Sequence, residues 1–226
     1  MTSGARPHSL VVVVGTGTEI GKTWISARLL EQWRALGLHA AARKPAQSFA
    51  PGEGPTDAEV LGNASGENPK VVCPPGRWYP VALAPPMAAR RLGGEPLGVR
   101  ELLSELCWPQ EPVDVGLVET AGGLRSPQAD DGDALDLAAA LQPDTVLLVA
   151  DAGLGTINAV RLATDALAAR KLPFVVVLNR YDTADALHVE NLQWLTAVDG
   201  LDVVGGDRSG IGELARRLAG PGITAR

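Results

Sequence analysis

Between an unbroken apolar run, Leu10 to Val14, and a stretch in which Ile25, Leu29, Leu30, Trp33 and Leu36 recur near helical spacing lies Gly15-Thr16-Gly17-Thr18-Glu19-Ile20-Gly21-Lys22-Thr23. A β-branched run that is apolar on both sides is how a central strand of a parallel sheet reads when helices cover both its faces. Gly37 then stops the helix that follows. The segment in between must therefore carry the chain from a strand into a helix. Its glycines let the backbone wrap an anion, with successive N–H groups and the helix N-terminus turned toward it. Lys22 adds charge for the outer phosphates and Thr23 offers a hydroxyl to Mg2+. The loop departs from the usual spacing, because Thr16 stands five residues before Gly21 and the first glycine, Gly15, comes one position earlier. A chance Gly-Lys-Thr in a glycine-rich turn is the competing reading, and the flanking strand and helix weigh against it.

Alternation continues along the chain. Ala40 to Arg43, Val113 to Glu119, Thr145 to Asp151 and Phe174 to Asn179 read as strands, while Asp57 to Asn63, Val99 to Leu106, Ala134 to Leu141 and Asn158 to Arg170 read as helices. The C-terminal part is weaker: a helix after His188, a short strand Leu201 to Val204 and a terminal helix from Gly212. This order predicts an α/β fold, a single P-loop NTPase-like domain over 1–226 with a mostly parallel sheet and helices on both faces. Residues 1–9 are expected to form a flexible lead-in. Gln47 to Thr56 and Asn68 to Pro86, the latter with six prolines, read as loops of a length that usually carries binding.

Bulk properties narrow the function. With a net charge of −6, a pI near 5.1 and no cluster of Lys or Arg, the chain has no electrostatic footprint for nucleic acid or an anionic membrane. Cys73 and Cys107 lack metal-ligand spacing and are too few for a disulfide framework. Leu10 to Val14 is too short for a signal-peptide core or a membrane span. These features point to a protein of the cytoplasm.

The remaining motifs sit at element ends: Lys44-Pro45-Ala46-Gln47-Ser48 follows the second strand, Thr56-Asp57 opens the next helix, and Val118-Glu119-Thr120-Ala121-Gly122-Gly123 ends the third strand. In a parallel sheet such ends share the edge of the phosphate loop, where open α/β sheets bind ligands. Together with Leu154-Gly155-Thr156-Ile157-Asn158, they occur in the order seen in dethiobiotin synthetases, and from Val11 to Asn179 the chain resembles that family.

The resemblance implies closure of a cyclic urea on 7,8-diaminononanoate with CO2 and ATP, and with Mg2+ as cofactor. One amine would capture CO2 as a carbamate, the γ-phosphoryl group would activate it, and the second amine would close the ring. Gly17, Thr18, Glu19, Ile20, Gly21, Lys22 and Thr23 would then hold the nucleotide with Glu119 and Asn179, the latter against adenine. Thr23, Asp57 and Glu119 would bind the metal; Lys22, Lys44 and Thr18 would serve the phosphoryl transfer; Ser48 and Gly122 would meet the substrate. Gly155 and Asn158 would reach a substrate carboxylate across the two-fold axis of a homodimer. Thr120 stands where the family usually has glycine, and is expected to place a branched side chain beside the substrate. The region after Tyr181 matches no family segment.

Two other P-loop readings compete. Cobyric and cobyrinic acid synthases carry a glutaminase domain with a nucleophilic cysteine, for which this sequence offers no room. Partitioning and septum-positioning switch ATPases have an additional lysine early in the loop, and Thr16 to Ile20 contains none.

Overall fold

A computed structural model describes residues 4–220. The chain runs β1 (Ser9–Gly15), α1 (Lys22–Ala35), β2 (Ala40–Arg43), β3 (Gln47–Ser48), α2 (Asp57–Ser65), α3 (Pro69–Val72), β4 (Trp78–Tyr79), α4 (Pro85–Arg91), α5 (Val99–Glu105) and β5 (Val115–Glu119). It continues with β6 (Pro127–Ala129), β7 (Gly132–Asp133), α6 (Ala134–Leu141), β8 (Thr145–Asp151), α7 (Thr156–Ala169), β9 (Phe174–Asn179), α8 (Ala186–Gln193), β10 (Val203–Gly205) and α9 (Arg208–Leu218).

Six strands form one parallel sheet in the order β10-β9-β8-β1-β5-β2. Alternate side chains of the central strand explain its continuous hydrophobicity. Val11 and Val13 join the core under α1, α2 and α9, whereas Leu10, Val12 and Val14 join the core under α6 and α7. A third, smaller cluster, including Ala46, Tyr79, Ala88, Leu97, Leu102 and Ala129, packs α4 and α5 beside the sheet. Register sets Val13 of β1 beside Glu119 and Gly15 beside Val149, so the ends of β5 and β8 flank the phosphate loop.

The structure corrects several local expectations. Asn68 to Pro86 is not one loop: α3 and α4 start at prolines in their first turns, where a missing N–H costs nothing, and β4 pairs with β3. The terminal helix begins at Arg208, four residues before the expected Gly212, because Asp207 caps it by accepting from the Gly210 amide at 2.9 Å. The expected flexible lead-in is tied down from Gly4 onward: Gly4 donates to the Trp108 carbonyl at 3.0 Å, His8 to that of Val113 at 2.9 Å, and Arg6 pairs with Asp144. Residues 1–3 lie outside the described residues.

Trp33, fully buried on α1, donates its indole N–H to the Ala215 carbonyl of α9 at 2.8 Å. Replacing it with Phe keeps most of the apolar volume and removes one hydrogen bond, while the carbonyl keeps the Ala219 amide at 3.2 Å, so the cost is about 0.5–1.5 kcal/mol. Urea unfolding of Trp33→Phe is expected to show a midpoint lowered by that free energy divided by the m-value, with the m-value unchanged.

Candidate active site

The phosphate loop departs from the usual spacing for a steric reason. A Cβ at Gly15 would come 2.9 Å from Ile20 Cδ1, 3.0 Å from the Gly17 carbonyl oxygen and 3.1 Å from Lys22 Cδ. Thr16 is tolerated next to it because its amide extends the sheet, donating to the Val149 carbonyl at 2.9 Å. Gly21, at φ +88°, caps α1 in the left-handed region, and a Cβ there would fall 1.9 Å from Asn179 Nδ2. Lys22 opens α1 and folds back over the loop, donating to the Gly17 carbonyl at 3.2 Å.

Behind the loop lies a buried charge cluster. Glu119, with no exposure, accepts from Ser26 Oγ at 2.7 Å, from Thr23 Oγ1 at 2.8 Å and from Lys44 Nζ at 2.8 Å. Asp57, the first residue of α2, accepts from Thr23 Oγ1 at 2.8 Å and pairs with Lys44 Nζ at 2.6 Å. A capping box of Thr56 and Glu59 fixes the start of that helix and so the place of Asp57. The Thr23 hydroxyl has one proton and two carboxylate oxygens to give it to. That surplus of hard oxygen acceptors, drawn around the Lys44 ammonium, is the chemistry of a cation site.

These charges shift one another. Burial and the neighbouring Lys44 ammonium pull Lys22 down to about 8, against the attraction of Glu119 and Asp57. Burial also opposes the charge on Lys44, but Asp57 and Glu119 outweigh it and hold this ammonium well above the ordinary lysine range. Asp57 is kept below the usual carboxylate range: its burial works the other way, and the Lys44 ammonium and the Thr23 hydroxyl prevail.

The cluster opens into a cleft of about 720 Å³ lined by Thr18, Lys22, Lys44, Ser48, Asp57 and Gly122, with Phe49, Leu83 and Pro85 forming an apolar wall. Ser48 Oγ is buried without a hydrogen-bond partner, so a polar group is available at the rim. Gly122 is at φ +65°, and a Cβ would meet Ser126 Oγ at 2.6 Å. On the far side of α1, Trp24, Asn179, Tyr181, Gly206 and Asp207 line a second recess beginning at Gly21.

Residues 9–206 match a family described as an AAA domain. The chain is 40% identical over 211 residues to the ATP-dependent dethiobiotin synthetase BioD of Rhodococcus jostii, covering 92% of this chain and 89% of that one. Against the enzyme of the same name from Streptomyces avermitilis the identity is 36%, with 90% and 85% covered. Against that from Saccharopolyspora erythraea it is 35%, with 96% and 98% covered. The chain belongs to the dethiobiotin synthetase family. Among solved structures, the MinC:MinD cell division protein complex of Aquifex aeolicus matches with a TM-score of 0.56 at 14% identity, over 96% of this chain and 98% of that one. A plasmid partition protein from Borrelia burgdorferi gives 0.54 at 11%, over 95% and 97%. At such identity these likenesses show the shared P-loop fold alone. Membership of an ATP-using synthetase family implies a metal that travels with the nucleotide.

For a dethiobiotin synthetase, the strand-end motifs sit where sequence order places them: Lys44, Asp57 and Glu119 meet Lys22 and Thr23, and Ser48 and Gly122 face the same cleft. Gly155 and Asn158 do not line it; both are exposed at the start of α7, and Leu154 beside them is 93% exposed. Asn179 reaches the second recess, and its Nδ2 donates to the Ile20 carbonyl at 2.8 Å. The expected intrusion of Thr120 does not occur. Its hydroxyl turns inward to the Val13 carbonyl at 3.2 Å, which also accepts its amide at 3.0 Å, and the residue is fully buried. Three supporting residues carried no sequence signal. Ser26 braces Glu119; Gln128 receives the Ala121 amide at 2.9 Å and donates to its carbonyl at 2.8 Å; Ser126 accepts from Gly123 at 2.8 Å. Each is a polar side chain whose role depends on a fold-level neighbour.

Because kcat/KM reports the free enzyme, its value for MgATP is expected to fall about tenfold per pH unit above about 8, where the Lys22 ammonium loses its proton. A profile flat to pH 10 would separate Lys22 from phosphate binding.

Proposed function

We propose that this chain forms the ureido ring of dethiobiotin from 7,8-diaminononanoate, CO2 and MgATP at the cleft between the phosphate loop and the ends of β2 and β5. The observation that carries the reading is the convergence of two buried ammonium groups, Lys22 and Lys44, with three oxygen ligands, Thr23, Asp57 and Glu119, at the floor of that cleft. A carbamate oxygen would attack the γ-phosphorus and the bond to ADP would break. The second amine would then attack the carbamoyl carbon, releasing phosphate and a proton. These steps need positioning and neutralisation of phosphoryl charge, and no enzyme nucleophile.

Each residue has work that suits its chemistry. Loop residues Gly17 to Thr23 would cradle the phosphates, with Thr18 at the cleft mouth beside Lys22 and Lys44. Mg2+ is the cation best matched to the donors, since two carboxylates and a hydroxyl form no closed cage and leave room for phosphate oxygens and water. Its charge would offset that of the β- and γ-phosphates. Ser48 and Gly122 would receive the diamine or its carbamate, and the wall of Phe49, Leu83 and Pro85 suits an alkyl chain. Asn179 would present its free Oδ1 to the adenine amino group. Gly155 and Asn158, exposed and away from the cleft, would act on a second copy, so a homodimer is part of the reading. The sheet, its helical layers and the site form one ATP-binding domain, and no helix of the described residues is long and apolar enough to cross a membrane. A cytoplasmic place is consistent with these small, soluble substrates.

Phosphate release from MgATP and bicarbonate is expected to depend on added 7,8-diaminononanoate, with dethiobiotin detected by mass. ATP turnover indifferent to the diamine would overturn the assignment. Lys22→Ala is expected to lower diamine-dependent turnover at least about a hundredfold with the circular dichroism unchanged. Glu119→Gln is expected to raise the Mg2+ concentration needed for half-maximal rate, and an unchanged Mg2+ titration would remove Glu119 from the metal site.

A further inference from the structure

We infer that Arg180, held by Asp151, is a positioning residue that presets the phosphate loop for its ligand. Arg180 follows Asn179 at the end of β9, and the two side chains take consecutive carbonyls of the loop: Arg180 Nη2 donates to Glu19 O at 2.8 Å and Asn179 Nδ2 to Ile20 O at 2.8 Å. In a planar trans peptide, the C=O of one residue and the N–H of the next point in opposite directions. Drawing the carbonyls of Glu19 and Ile20 toward β9 therefore turns the amides of Ile20 and Gly21 away from it, into the loop. Among the described residues neither amide is given to another protein group. They are left facing the place where successive N–H groups would meet an anion.

The loop needs such a restraint. Glu19 is at φ +58°, a left-handed conformation that a non-glycine residue keeps only when its surroundings hold it there. Arg180 is itself at φ +58°. Its second nitrogen, Nη1, pairs with Asp151, whose other oxygen accepts the Gly153 amide at 2.9 Å. The clamp thus ties the turn after β8 to the phosphate loop. Stability alone does not explain it, because the Arg180 and Asp151 side chains are 59% and 42% exposed and an ion pair that open adds little to folding. What it fixes is the direction of two peptide groups.

The inference rests on the reading that the loop binds phosphate, which wild-type binding of MgATP checks separately: without it, that reading falls first. Calorimetric titration of the full chain with MgATP and with magnesium tripolyphosphate, which has no base, then decides the role of Arg180. Arg180→Met is expected to weaken both by the same factor, about tenfold, with the melting temperature nearly unchanged. Arg180→Lys, which keeps a cationic donor, should recover part of the loss. Asp151→Asn is expected to weaken tripolyphosphate about threefold by loosening the clamp, although removing a negative charge near an anion would by Coulomb attraction alone tighten it. Tripolyphosphate binding unaffected by Arg180→Met would make Arg180 a contact to the nucleoside. Tighter binding by Asp151→Asn would reduce the pair to simple electrostatics. Either result overturns the inference.

Discussion

An ionised carboxylate with no exposure, at the end of a central strand, survives only where cations and hydrogen-bond donors replace the water it has lost, and Glu119 is such a group. Its three partners come from different parts of the chain: Ser26 and Thr23 from α1, Lys44 from the segment after β2. Lys44 in turn holds Asp57 at the start of α2. Removing one member leaves an uncompensated buried charge, which is far costlier than losing an exposed pair. The cluster therefore fixes how α1, β2, α2 and β5 stand to one another, and the cleft takes its floor from that arrangement.

Lys22 shows what this organisation costs. A lysine depressed from 10.5 to about 8 binds fewer protons folded than unfolded between those values, so folding stability rises with pH across that window. At neutral pH the penalty is on the order of 3 kcal/mol. A nucleotide's phosphates would relieve it, since they supply the negative charge that Asp57 and Glu119, committed to Lys44, give only in part. Binding energy and site strain are in this sense the same quantity: the ammonium that the protein's own carboxylates neutralise only in part is the one that gains most from an anion.

The main sheet was legible because its signals are local. The strands Ala40 to Arg43, Thr145 to Asp151 and Phe174 to Asn179 coincide with observed elements, since fully buried parallel strands must be continuous apolar runs. Lys44, Asp57 and Glu119 were legible as a set because parallel topology delivers strand ends to one edge. The proline-rich Asn68 to Pro86 was misread because proline marks the start of α3 and α4 as readily as it marks a loop, and only packing chooses between them: Val72 of α3 against Leu61 and Ala64, Ala88 of α4 against Ala46 and Tyr79. Thr120 was misread for a related reason. Residue type gave its size, but whether it faced the cleft or β1 depended on the free acceptor capacity of Val13 O.

The same distinction separates fold from activity. The cell division protein complex and the plasmid partition protein share the fold, which is all that structural likeness at 14% and 11% identity carries. What differs between P-loop proteins is the side chains that the neighbouring strands bring to the loop. Here the segment after β2 supplies both the cation of the buried cluster, Lys44, and four residues later the unpartnered hydroxyl of Ser48 at the cleft rim. One short stretch, Lys44 to Ser48, thus joins the floor of the cleft to its rim. On the proposed reading, a chain that kept the loop but lost that stretch would keep the means to hold a triphosphate while losing the charge and the polar rim proposed to direct its γ-phosphoryl group to an acceptor.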